Sequence, residues 1–146
     1  MKYIRRINEA GKEETYKIDP NKSFIALEEA VSYLLEKAEA DIKAIFRKYN
    51  LVVEETATDP YPDDFEIEYK VDSYGGHLPN NISEVMANIY TDLATEIFSD
   101  NIDGWRFSRN PYRIIFHINP DVITDEDIED MVNFYLVKAR HNRRVI

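Results

Sequence analysis

The chain contains no cysteine. That removes disulfides, thiolate zinc sites and thiol catalysis together, and it suits a reducing compartment. Glycine is scarce: Gly11, Gly75, Gly76 and Gly104 are its four copies, and they form neither G-x-G-x-x-G nor G-x-x-x-x-G-K. The usual glycine-rich cradles for nucleotide phosphates are therefore missing. No apolar run approaches the roughly 20 residues needed to span a bilayer. The start, Met1, Lys2, Tyr3, Ile4, Arg5, Arg6 and Ile7, is charged but has no apolar stretch behind it, so no secretory signal is expected. The expectation is a cytoplasmic protein with no membrane partner. Residues 132–146 hold no Asp or Glu and carry four basic residues.

What is present is core material and unevenly spread charge. A chain of 146 residues is most simply one domain covering 1–146. Its ten Tyr and seven Phe argue against a disordered chain. The net charge of −10 is concentrated in the middle. Residues 1–50 are nearly balanced, with ten basic and nine acidic residues, whereas residues 51–131 hold four basic and nineteen acidic ones. A field of that sign repels nucleic-acid backbones and anionic membranes and favours basic partners. Direct nucleic-acid binding is not expected.

The polarity pattern repeats a ββα beat three times, near residues 1–50, 51–101 and 102–146, without a shared residue motif. Residues 3–7 and 15–18 read as a hairpin turning near Gly11. Residues 23–50 read as one long helix: Leu27, Val31, Leu34, Ala38, Ile42, Ile45 and Phe46 recur at three- and four-residue steps, with no Gly or Pro between them. Residues 51–56 are a strand, and Asp59, Pro60, Tyr61, Pro62, Asp63 and Asp64 a loop. Residues 65–72 alternate, with Phe65, Ile67, Tyr69 and Val71 on one face and Glu66, Glu68, Lys70 and Asp72 on the other, as in a half-buried antiparallel strand. A helix follows from Asn81, with Glu84 placed for a capping box. Residues 105–108 and 112–118 are strands. Thr124 caps a last helix whose buried face is Ile128, Met131, Val132, Tyr135, Leu136 and Ala139. The predicted fold is α+β, a mostly antiparallel sheet with about three amphipathic helices packed on it.

Candidate chemistry is thin. The segment from Ser99 to Gly104 looks like a calcium loop, but aligning Gly104 with the sixth position puts Ser99 first and Asn110 twelfth, where carboxylates are required. Glu66, Glu68 and Asp72 share a strand face and could hold a hard cation or act as an acid–base pair; solvated charge explains them as well. His77, His117 and His141 show no metal-ligand spacing. No catalytic residue, metal or cofactor is expected.

Binding surfaces are better marked. Trp105, Arg106, Arg109, Tyr112 and Arg113 combine the only Trp with three of the four basic residues of the acidic stretch. Those residue types dominate interface hot spots, although Trp105 and Phe107 pointing into a core would account for them too. Lys138, Arg140, His141, Arg143 and Arg144 form a basic end, which also compensates a helix C-terminus. The function expected is that of a small, non-enzymatic, intracellular protein-binding or assembly protein. Its partner would be another protein, with a second copy of itself among the candidates. The Ile-, Asn- and Tyr-rich composition suits a bacterial or phage gene. The alternative is an acidic mimic of nucleic acid that inhibits a DNA- or RNA-binding protein, and the third reading is a metal-dependent hydrolase.

Overall fold

The computed structural model describes residues 15–19, 21, 26–61, 64–73, 80–109 and 112–145, with 142–145 as helical backbone alone. The strand expected over 3–7, the turn near Gly11, and Gly75, Gly76, His77, Asn110 and Pro111 lie outside those residues, as do the side chains of Arg143 and Arg144.

Eight elements follow in order: α1 (Ala26–Lys37), α2 (Glu39–Arg47), β1 (Leu51–Tyr61), β2 (Asp64–Ser73), α3 (Ile82–Glu96), β3 (Trp105–Ser108), β4 (Arg113–Ile118) and α4 (Asp125–Val145). The strands make one antiparallel sheet in the order β1-β2-β4-β3. The fold is thus α+β as expected, with four helices among the described residues. The ββα beat holds for β1-β2-α3 and β3-β4-α4. It fails at the start: residues 15–18 are not a strand. They run along α4 instead, where Asn133 Oδ1 accepts from the Tyr16 amide at 2.7 Å and Glu129 Oε2 from the Ile18 amide at 2.7 Å. Extended residues with polar neighbours found side-chain partners in place of a ladder.

The predicted single helix over 23–50 is divided at Ala38, whose ψ of 7° interrupts the helical path. No local breaker marks the spot. The cause is tertiary: the Tyr135 hydroxyl of α4 donates to Asp41 Oδ2 at 2.6 Å and lies 3.4 Å from the Lys37 carbonyl. Asn50 ends α2's last turn with a left-handed φ of 64°, the conformation Asn tolerates better than most. Asp92 of α3 then ties this corner down, accepting from the Tyr49 hydroxyl at 2.7 Å and pairing with Lys48 at 2.8 Å.

β1 and β2 are longer than expected. Tyr61 pairs with Asp64, so Asp59, Pro60 and Tyr61 belong to the strand and not to a loop. Pro60 is tolerated because β1 is an edge strand, where one row of amides has no ladder to serve. The register slips between Val53 and Glu55. The extra residue, Glu54, is a bulge that switches the phase: Leu51 and Val53 face the helices, then Thr56, Thr58 and Pro60 do. Phe65, Ile67, Tyr69 and Val71 of β2 and Ile114, Phe116 and Ile118 of β4 face the same way and are buried with the helix stripes in one core. α4 begins with the expected cap in reciprocal form: the Thr124 hydroxyl accepts from the Asp127 amide at 3.1 Å and Asp127 Oδ2 from the Thr124 amide at 3.0 Å. Asn81 makes no side-chain cap bond, so the capping box expected with Glu84 does not form. Among the described residues no helix is long and apolar enough to cross a membrane.

Candidate functional site

Two regions on opposite faces of the sheet concentrate the polar chemistry. The first is the face turned away from the helices. Cross-strand register places His117 beside Glu66, Ile115 between Glu68 and Arg106, and Arg113 beside Lys70. Diagonal neighbours on such a face lie within reach of long side chains. They pair here: Arg106 with Glu66 at 3.1 Å, Arg113 with Glu68 at 3.6 Å, and His117 Nδ1 with Asp64 at 2.9 Å. Ile115 points outward by register yet is only 3% exposed; long charged side chains such as its neighbours Glu68 and Arg106 can cover apolar surface with their aliphatic stems.

Asp64, Glu66 and His117 bring one ligand atom each within 4.8 Å of one another. The strand face thus assembles a mixed carboxylate–imidazole group across two strands, whereas the sequence suggested Glu66, Glu68 and Asp72 along one. The chemistry of such a group suits a divalent cation. Its groups already have partners, however: Arg106 lies 3.1 Å from Glu66 and Asp64 lies 2.9 Å from His117 Nδ1.

The second region lies on the helix side of edge strand β1. Its helix-facing positions opposite Tyr69 and Ile67 are Thr56 and Thr58, too polar to draw a helix over them. A groove of about 550 Å³ remains, walled by Leu35 and Ile42 of the helices and floored by Val53 and Tyr69. Four glutamates, Glu36, Glu39, Glu54 and Glu55, stand around it with a single lysine, Lys43. Lys43 is bound to Glu39 at 2.8 Å.

Tyr69 is the anomaly. Its ring packs on Phe46 and Phe116, with centroids 5.1 and 5.9 Å away. Burial pushes its hydroxyl pKa far up, so the group stays protonated. That hydroxyl is buried and has no hydrogen-bond partner, alone among the buried side-chain polar atoms of the described residues. The other enclosed tyrosines are served: Tyr90 donates to the Ile102 carbonyl at 3.0 Å and accepts from the Gly104 amide at 3.1 Å, and Tyr135 donates to Asp41. Buried polar groups in native proteins are nearly always bonded.

The residues expected to bind a partner are dispersed. Trp105 and Phe107 face the core and pack against it. Arg106 and Arg113 point the other way, into the ion pairs above. Arg109 lies over the Phe107 ring at 5.9 Å, and Tyr112 stacks on the same Phe107 ring, with centroids 5.9 Å apart and planes at 16°. Strand alternation therefore splits the aromatic–arginine segment between two faces. Arg140 lies far along α4, partly buried. The candidate calcium loop is a helix end: Ser99 and Asp100 have left-handed φ values of 49° and 61°, and Asn101 Nδ2 donates to the Phe98 and Ser99 carbonyls at 3.0 Å each.

One surface escaped the sequence reading. Phe134 and Val137 on α4 are 39% and 52% exposed. With Asp130 and His141 they line a shallow apolar hollow. Their three- and four-residue steps put them on one side of the helix, opposite the predicted core stripe. That spacing was the available signal. Comparisons with family models, with curated proteins and with solved structures found no match to this chain.

Proposed function

We propose that this is a non-enzymatic binding protein that associates with a second copy of itself through the outer face of α4. The observation that carries the reading is the exposed pair Phe134 and Val137, set at the start of the chain's basic end, which includes Lys138, Arg140, Arg143 and Arg144. An apolar centre with a charged rim is the anatomy of a protein interface. The occupant follows from charge. The basic end of one copy meets a molecule whose residues 51–131 are strongly acidic, which favours a head-to-tail contact between copies.

Light scattering tests this. The wild type is expected to have the mass of a defined oligomer that weakens with salt, and the double variant Phe134→Ser, Val137→Ser to become monomeric with its fold intact. A monomeric wild type at every concentration, or an unchanged oligomer in the variant, refutes the reading.

Mimicry of nucleic acid draws less support. Glu66 and Glu68 are engaged by arginines on the outer sheet face, while the carboxylates between positions 121 and 130 begin α4 in the helical layer. They do not form one row. The hydrolase reading has the Asp64, Glu66 and His117 group behind it, but that group sits on an open sheet face.

A further inference from the structure

We propose that the groove between the helices α1–α2 and the edge of β1 binds an extended peptide segment of another protein, one carrying Lys or Arg next to apolar residues. This site is separate from the α4 surface and does not depend on self-association.

Three observations converge on it. The first is position. β1 pairs only with β2 among the described strands, so among the described residues one edge of it has no ladder. Val53, Glu54, Glu55, Thr56, Ala57 and Thr58 all line the groove. Consecutive residues point to opposite faces of a strand, so a run without gaps means that the groove follows the strand's edge as well as one face. An extended chain added there completes the row of backbone hydrogen bonds, the mode called β-augmentation. The bulge at Glu54 and the proline at 60 bound the usable stretch. Only a short extended segment fits between them.

The second is charge. Glu36, Glu39, Glu54 and Glu55 surround the groove, and Lys43 is already engaged by Glu39. A cationic ligand is selected and an acidic one repelled.

The third is the Tyr69 hydroxyl, buried and without a partner, on a residue that lines the groove. A buried hydroxyl left unbonded costs free energy that a ligand's polar atom recovers. Leu35, Ile42 and Val53 beside it supply contacts for an apolar side chain. The basic end of a second copy is not this ligand, because its chain is helical through Val145 and cannot pair along a strand.

The test is fluorescence anisotropy with a labelled peptide of alternating Lys and Val, seven residues long, and a matched peptide of alternating Glu and Val. The Lys peptide is expected to bind saturably and the Glu peptide not to bind. The double variant Glu36→Gln, Glu54→Gln weakens binding about tenfold, and Tyr69→Phe weakens it about three- to tenfold. The control Asp72→Asn, Asp121→Asn removes the same charge away from the groove and leaves affinity unchanged. The proposal is overturned if the wild type does not bind the Lys peptide, if it binds both peptides equally, if either groove variant binds like the wild type, or if the control weakens binding as much as the groove pair. Thermal melts of every variant confirm that the fold is retained.

Discussion

The two sides of β2 solve the same problem in opposite ways. On the outer side, Glu66 and Glu68 carry formal charge, and each finds an arginine from a neighbouring strand. On the inner side, Tyr69 carries only a hydroxyl, is buried, and finds nothing. The outer face is rich in charge and looks like a binding surface in the sequence, yet its glutamates are paired within the sheet. The inner groove contains threonines and one tyrosine and drew no notice, yet it holds an unmet polar group beneath an acidic rim. Exposure and charge alone therefore do not single out the inner side. Unsatisfied bonding capacity does, because folding leaves it in place only at a cost.

The sharpest way to break this comparison is Ile115→Ala. If the outer face were ordinary solvated surface, truncation would change stability by less than about 0.5 kcal/mol. Ile115 is nearly inaccessible and stands between the charged residues Glu68 and Arg106. Truncation is expected to cost about 2–4 kcal/mol, as for a core isoleucine, read by urea unfolding. A cost near zero would show that the charged side chains do not form a cover.

This contrast marks where the sequence was legible. The alternation from Phe65 to Val71 and the stripe of α4 came through because period alone decides which face is buried. Thr124 came through because a cap is local. Features set by distant residues did not. The bend at Ala38 depends on Tyr135, nearly a hundred positions away. The meeting of His117 with Asp64 and Glu66 depends on the β2–β4 register, which no spacing along the chain reveals. The groove was hidden for a further reason. Its signal is a missing apolar residue at Thr56 and Thr58, and the bulge at Glu54 concealed which face those threonines take.

The inner side is sharpened by Tyr69→Phe, whose sign is unusual for a core substitution. Removing an unbonded buried hydroxyl is expected to stabilise the free protein by about 1 kcal/mol. The same change on Tyr90 or Tyr135, whose hydroxyls are bonded, is expected to destabilise it by a similar amount. The pH dependence follows from burial. Burial raises the Tyr69 pKa above its ordinary value of 10.0, so the folded state holds that proton more tightly than the unfolded chain does. Its contribution is intact below about pH 10 and is lost as pH rises toward the folded value. Tyr69→Phe should therefore resist alkaline unfolding better than the wild type. Equal alkaline midpoints would mean that the hydroxyl is hydrated in solution and that its pKa is not raised.

The smallest effect belongs to the outer lattice, and it has the opposite sign. Arg106 is half exposed while Glu66 is mostly covered, with 54% and 14% of their side chains accessible. Exposed pairs contribute little, so Arg106→Ala is expected to cost only about 0.5–1 kcal/mol, and less in high salt. A double-mutant cycle with Glu66→Gln isolates the pair from the packing that the arginine stem supplies to Ile115. If the coupling is near zero while Arg106→Ala still destabilises, the stem is what matters and the ion pair is incidental. If the coupling accounts for the whole loss, charge satisfaction holds the face together. In either case deletion on this side lowers stability, whereas deletion at Tyr69 raises it. That opposition in sign, more than either magnitude, separates a surface whose bonding is complete from a groove whose bonding is not.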